Sequence, residues 1–152
     1  MDPSLAVPFI KAITDVLSTM AATIPKPGKP YLKDGALATG DVTGLVGMTG
    51  AKTGSISISF DKACAIAIVK NMLGDDIQDI MQDVKDTVGE ITNMVSGQAR
   101  AGLSEMGISL QGSTPTVIMG DNHSVGHATN APIMAIPFTT DAGKFTIEFC
   151  FQ

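Results

Sequence analysis

The run "DVKDTVGEITNMVSGQAR" (residues 83–100) places Val84, Val88, Ile91, Val95 and Ala99 at steps of three and four residues. Ile77 and Met81 continue the spacing upstream, and Leu103 and Met106 continue it downstream. One apolar stripe therefore runs for about eight turns, which predicts an amphipathic helix from about Ile77 to Met106. Gly107 is placed to end it, and residues 74–77 separate it from the helix before.

Working outward, "KACAIAIVKNML" after Asp61 predicts a helix capped by that aspartate and closed by Gly74. Phe9, Ile13, Val16, Leu17, Met20 and Ile24 predict a first helix, with Pro8 at its first position. "IPKPGKP" (residues 24–30) ends it in a loop. "GDVTGLVGMTG" and "GSISISF" read as two strands of a hairpin. Ile56, Ile58 and Phe60 alternate with serines, the mark of a half-buried strand. The glycines of the first strand point to a bulge or to close packing. "YLKDGALA" reads as a short edge strand. The last third reads as strands: "TPTVIMG", "APIMAIPFTT" and "KFTIEFCFQ", the last two joined by a "DAG" turn. Pro132 and Pro137 suggest an edge or a bulge. The expected fold is α+β, a largely antiparallel sheet covered by helices.

A chain of 152 residues fits one domain with a real core, expected to span residues 1–152. Trp is absent and there is one Tyr, so the core is aliphatic with Phe and Met as its large members. The formal net charge of −5 argues against binding a nucleic-acid backbone. No apolar run approaches a membrane span. The N-terminus, with an acid and prolines, does not resemble a signal peptide, so the expected location is the cytoplasm. Cys64 and Cys150 are then expected as reduced, buried thiols.

On a helical wheel Asp86, Glu90, Asn93, Gly97 and Arg100 form one polar row opposite the apolar stripe. A solvated face accounts for Glu and Arg. It does not account for Asn, a mediocre helix former. Nor does it account for Gly97, which costs about 1 kcal/mol against Ala in a helix interior. A carboxylate can receive a partner's cation. A carboxamide is neutral and both donates and accepts, so it suits the ordering of a water.

Those residues, and longer stretches around them, resemble the CheX branch of the CheC/CheX/FliY family of bacterial chemotaxis phosphatases. The likeness covers "PFIKAITDVLSTM" with "PKPGKPYLK", the "GDVTGLVGMTG"/"GSISISF" hairpin, "DVKDTVGEITNMVSGQAR" and "AIPFTTDAGKFTIEFCF". It implies a phosphatase acting on the phosphoaspartate of a CheY-type response regulator. By resemblance Asn93 orients the attacking water and Glu90 pairs with the regulator's lysine. Asp86, Gly97 and Arg100 fall on the partner-binding face. Magnesium is supplied by the regulator, with no metal or cofactor of the chain's own. A second Glu-x-x-Asn, found on the first helix of CheC-type members, is missing here. One site per chain is the CheX pattern, which implies a homodimer joined through its sheets. A non-catalytic module that binds receivers or a flagellar switch is the alternative.

Two other patterns are weaker. "GMTGAKTGS" (residues 47–55) has Ala51 where a phosphate-binding loop needs Gly and precedes a strand, so a hairpin turn is expected. His123 and His127 have the spacing of a zinc pair on a helix but lie in a loop-like "GDNHSVGHATN" with no Cys or third His close in sequence.

Overall fold

The computed structural model describes residues 3–33, 40–120 and 132–151. The elements run α1 (Ala6–Met20), β1 (Lys26–Pro27), β2 (Tyr31–Lys33), β3 (Val42–Gly50), β4 (Gly54–Phe60), α2 (Lys62–Leu73), α3 (Ile80–Glu105), β5 (Leu110–Gly112), β6 (Thr116–Met119), β7 (Ile133–Thr140) and β8 (Gly143–Phe151). Every strand pairing is antiparallel. The sheet order is β1-β7-β8-β4-β3-β5, with β2 also on β7 and β6 also on β3. Each outer edge is thus two short strands, a shape that discourages open-ended pairing. The fold is the expected α+β arrangement.

One sheet face carries Phe145, Ile147 and Phe149 from β8, Ile56, Ile58 and Phe60 from β4, and Val46 and Met48 from β3, all fully buried. The helices close this face. Phe9 of α1 stacks on Phe149 with ring centroids 5.4 Å apart. Val84, Val88, Ile91, Val95, Ala99 and Leu103 of α3 join the same core. Among the described residues no helix is long and apolar enough to cross a membrane.

The opposite sheet face is also buried, against the half-buried expectation for β4. Ser55, Ser57 and Ser59 are enclosed, as are Thr146, Glu148 and Cys150 of β8. Sequence alternation separates polar from apolar faces but cannot tell whether the polar one meets water. Here it meets protein: Lys33 of β2 reaches Glu148 at 2.7 Å, with both side chains largely or wholly buried.

Element ends differ from expectation for local reasons. The first helix stops at Met20, and Ala22 adopts a positive φ of 48°, so Ile24 lies outside it and is exposed. Pro8 sits at the third helical position, still within the first turn, where no intrahelical partner awaits its missing N–H. Lys26 and Pro27, expected in a loop, pair with β7. α3 begins three residues later than the spacing suggests, because Asp79 accepts the N–H groups of Met81 and Gln82 and Asp83 accepts those of Gln78 and Asp79. Asp61 caps α2 as expected, at 2.7 Å from the Cys64 nitrogen. Pro137 is explained by the broken edge. Its carbonyl accepts from Gly28 in the gap between β1 and β2, so its nitrogen faces that gap rather than β8.

The rotation of α3 about its own axis is set by a notch in β3. Thr92 is buried, bonded through its hydroxyl to the Val88 carbonyl at 2.7 Å, and seated on Gly44. A Cβ at Gly44 would overlap the Thr92 hydroxyl and come 2.9 Å from its Cβ. Gly44→Ala should therefore push α3 off the sheet and destabilise the protein by about 1–3 kcal/mol, the usual range for overpacking. Denaturant unfolding against wild type checks this, and an unchanged midpoint would show that the notch does not hold the helix.

Candidate functional site

With Thr92 turned into the sheet, Glu90 and Asn93 face solvent, and both are exposed. They are one turn apart, so their Cβ atoms lie about 5–6 Å from each other. They open on a groove of about 570 Å³. Its helix side is Lys85, Asp86, Gly89, Glu90 and Asn93. Its far side is the β5–β6 connection, with Ser113, Thr114 and Pro115. The groove floor is narrow, since the position of a Gly89 Cβ lies only 3.4 Å from Val117.

The charged residues nearby are engaged to different degrees. Asp86 accepts a hydrogen bond from Gln82 at 2.9 Å. Arg100 donates to Ser96 at 3.3 Å and folds over Gly112 at the end of the groove. Among the described residues, Glu90 and Asn93 have no side-chain hydrogen bond or ion pair. Gly97 lies one turn beyond the groove with open space at its side-chain position: the nearest atom to an added Cβ is an Arg100 nitrogen at 3.9 Å. Nothing in this fold needs a glycine there. Of the five residues in the polar row, the groove collects Asp86, Glu90 and Asn93, while Gly97 and Arg100 continue the face beside it.

The far wall of the groove was not legible in sequence. Thr114 and Pro115 read as the start of the strand "TPTVIMG", and nothing local announces contact with a helix some twenty residues earlier. Gly112 was the available sign. It lets β5 pass under α3, where a Cβ would stand 3.0 Å from both Ser96 and Arg100.

The remaining candidates fall elsewhere. Residues 51–53 are the β3–β4 turn, as expected. His123 and His127 lie outside the described residues. Among the described residues no group of three or more His, Cys, Asp or Glu is arranged to hold a metal ion. Neither cysteine is in a disulfide, and both are buried. Burial pushes the Cys64 thiol up to about 11, with Thr140 opposing and Asp61 adding to the rise. Cys64 is therefore a neutral thiol at physiological pH and a poor nucleophile.

An antiparallel sheet under a long helix is a CheC-like fold, shared with solved structures of chemotaxis proteins. The chemotaxis phosphatase CheX family matches residues 42–139, and the chain belongs to that family. It is similar to a chemotaxis protein CheX from Desulfovibrio desulfuricans, with 62% identity, a TM-score of 0.93, and coverage of 98% of this chain and 99% of that one. A CheY-P phosphatase CheX of Thermotoga maritima is 25% identical over 121 residues, 79% of this chain and 78% of that protein. The fold is shared with the CheX of a CheX–CheY–BeF3–Mg2+ complex from Borrelia burgdorferi, at 24% identity and a TM-score of 0.79, over 97% of each chain.

Proposed function

We propose that this chain dephosphorylates the phosphoaspartate of a CheY-type response regulator. The observation that carries the reading is the exposed, unpartnered Glu90–Asn93 pair on the open face of α3, at the mouth of the groove. Its support is the family, the Thermotoga relative's activity and the CheY in the Borrelia complex. The α3 helix is the inserting element, and Asp86, Gly97 and Arg100 form the partner-binding face around it.

The reaction asks little covalent chemistry of this chain. A water oxygen forms a bond to phosphorus as the bond from phosphorus to the aspartyl oxygen breaks, releasing inorganic phosphate and the free carboxylate. Phosphoryl transfer of this kind depends mainly on positioning and electrostatics. Asn93 accepts a hydrogen bond from the attacking water through its amide oxygen and fixes the line of attack, while the water's protons leave with the phosphate. Glu90 takes the regulator's lysine ammonium as an ion pair. Magnesium, when bound on the regulator, neutralises phosphoryl charge. The described residues here offer no cluster to hold it. The site of action is the cytoplasm, with the regulator.

The direct test is the lifetime of a phosphorylated CheY-type receiver with and without this protein. A shortened lifetime that depends on protein concentration is expected. Binding without acceleration would leave a receiver-binding module instead.

We also expect a homodimer with both Glu90–Asn93 sites outward, since each must admit a receiver. Light scattering should give twice the 15.7 kDa chain mass. Titration with a beryllofluoride-loaded receiver should saturate at two per dimer. A monomer, or one receiver per dimer, would overturn this arrangement.

A further inference from the structure

The wall opposite Glu90 and Asn93 has a position that core burial does not explain. Ser113 and Thr114 are exposed and Pro115 only half-buried, yet the segment is fastened firmly. β5 pairs with Met48, Thr49 and Gly50, β6 pairs with residues 42–45, and β3 has a gap at Val46 and Gly47. Ser113 closes that gap twice. Its N–H donates to the Gly47 carbonyl at 2.9 Å, and its hydroxyl accepts the Gly47 N–H at 3.0 Å. The same hydroxyl lies 3.4 Å from the Thr114 carbonyl. Because a hydroxyl replaces a backbone carbonyl in the ladder, the chain leaves β3 at this point and turns outward along the groove. Pro115 fixes its own φ and holds Thr114 extended. Gly112 anchors the other end beneath Ser96 and Arg100.

We infer that Thr114 and Pro115 form a second, uncharged recognition wall for the receiver and that Ser113 is its positioning residue. This rests on the phosphatase reading of Glu90 and Asn93 and adds which surface selects the partner. The helix side of the groove carries charge, in Lys85, Asp86 and Glu90. The wall carries hydroxyls and a proline, so it reads shape and neutral hydrogen-bonding groups beside the receiver's active site. A wall held in place before docking adds affinity because little ordering remains to be done on binding.

The wall and the motif should give opposite kinetic signatures. Single-turnover dephosphorylation of an acetyl-phosphate-phosphorylated CheY-type receiver, with this protein in excess, yields a maximal rate and a half-saturation concentration. Thr114→Trp fills the groove from its far side. It should raise the half-saturation concentration about tenfold or more, the effect of about 1.4 kcal/mol, with the maximal rate and thermal midpoint kept. Ser113→Ala should raise it about fivefold, the loss of one net hydrogen bond, and Ser113→Thr should restore it. Half-saturation unchanged in Thr114→Trp would overturn the wall. A lower midpoint with unchanged half-saturation in Ser113→Ala would reduce that serine to a β3 edge contact. Wild-type protein that fails to accelerate hydrolysis at any concentration would instead remove the phosphatase reading itself.

Discussion

Asn93→Ala should lower the maximal dephosphorylation rate by about 10²-fold or more while leaving receiver affinity nearly unchanged. The magnitude follows from the role proposed for the amide. Ordering a water for in-line attack is an interaction that counts most in the transition state, so its loss appears in kcat rather than in binding. Misplacing a reacting group by about 1 Å can cost 10²-fold, equivalent to about 2.7 kcal/mol in the barrier. The side chain is exposed and has no partner among the described residues, so its removal disturbs no contact of this fold. The thermal midpoint should therefore stay at the wild-type value, as for surface substitutions within about 0.5 kcal/mol. Asn93→Asp is the sharper companion. It keeps the size of the side chain but brings a negative charge against an anionic phosphoryl group, and should be at least as impaired as Ala. Full activity in Asn93→Ala would leave only a binding module.

The physics of periodicity explains why this much of the site could be read in advance. Glu90 and Asn93 stand out because a regular helix turns each residue by a fixed angle, so a polar row is visible once the apolar stripe is known. The same regularity placed α3 correctly through Val84, Val88, Ile91, Val95, Ala99 and Leu103. It overextended the stripe to Met81 and Met106, which are about half exposed. It also missed Thr87, Thr92 and Ser96, which are buried polar residues on the sheet side. A threonine reads as surface in sequence. Here Thr92 satisfies its own hydroxyl on the Val88 carbonyl and needs only the Gly44 notch, a contact between residues 48 positions apart. Long-range contact was equally decisive for the far wall. The glycines of β3 suggest a bulge or close packing, and at Gly44 it is close packing, but nothing local says which element packs there. β1 was lost for a related reason: two residues among prolines show no alternation, and only β7 makes them a strand. The second sheet face was misjudged because alternation records which residues share a side and not what lies over them.

Glu90→Ala should act mainly on affinity. In the proposed docking, the Glu90 carboxylate, exposed on α3, becomes enclosed as a receiver covers the groove. Losing one side of an enclosed ion pair leaves the partner's lysine uncompensated, which costs about 2–5 kcal/mol of binding and speeds dissociation. The half-saturation concentration should rise by roughly 30-fold or more, the lower end of that range. Some loss of maximal rate should accompany it, because a lysine freed from Glu90 is less firmly held near the phosphoryl group. Glu90→Gln separates the two contributions. It retains an acceptor for the ammonium but not the charge, so it should fall between wild type and alanine. Because the pair is enclosed on docking, added salt should change the loss little for either variant, since buried pairs are screened much less than exposed ones. A Glu90→Ala affinity equal to wild type at low salt would take the ion pair out of the docking mechanism. A lowered thermal midpoint would mean that Glu90 serves this fold rather than its partner. Such a result would conflict with a side chain that is exposed and free of any bond among the described residues.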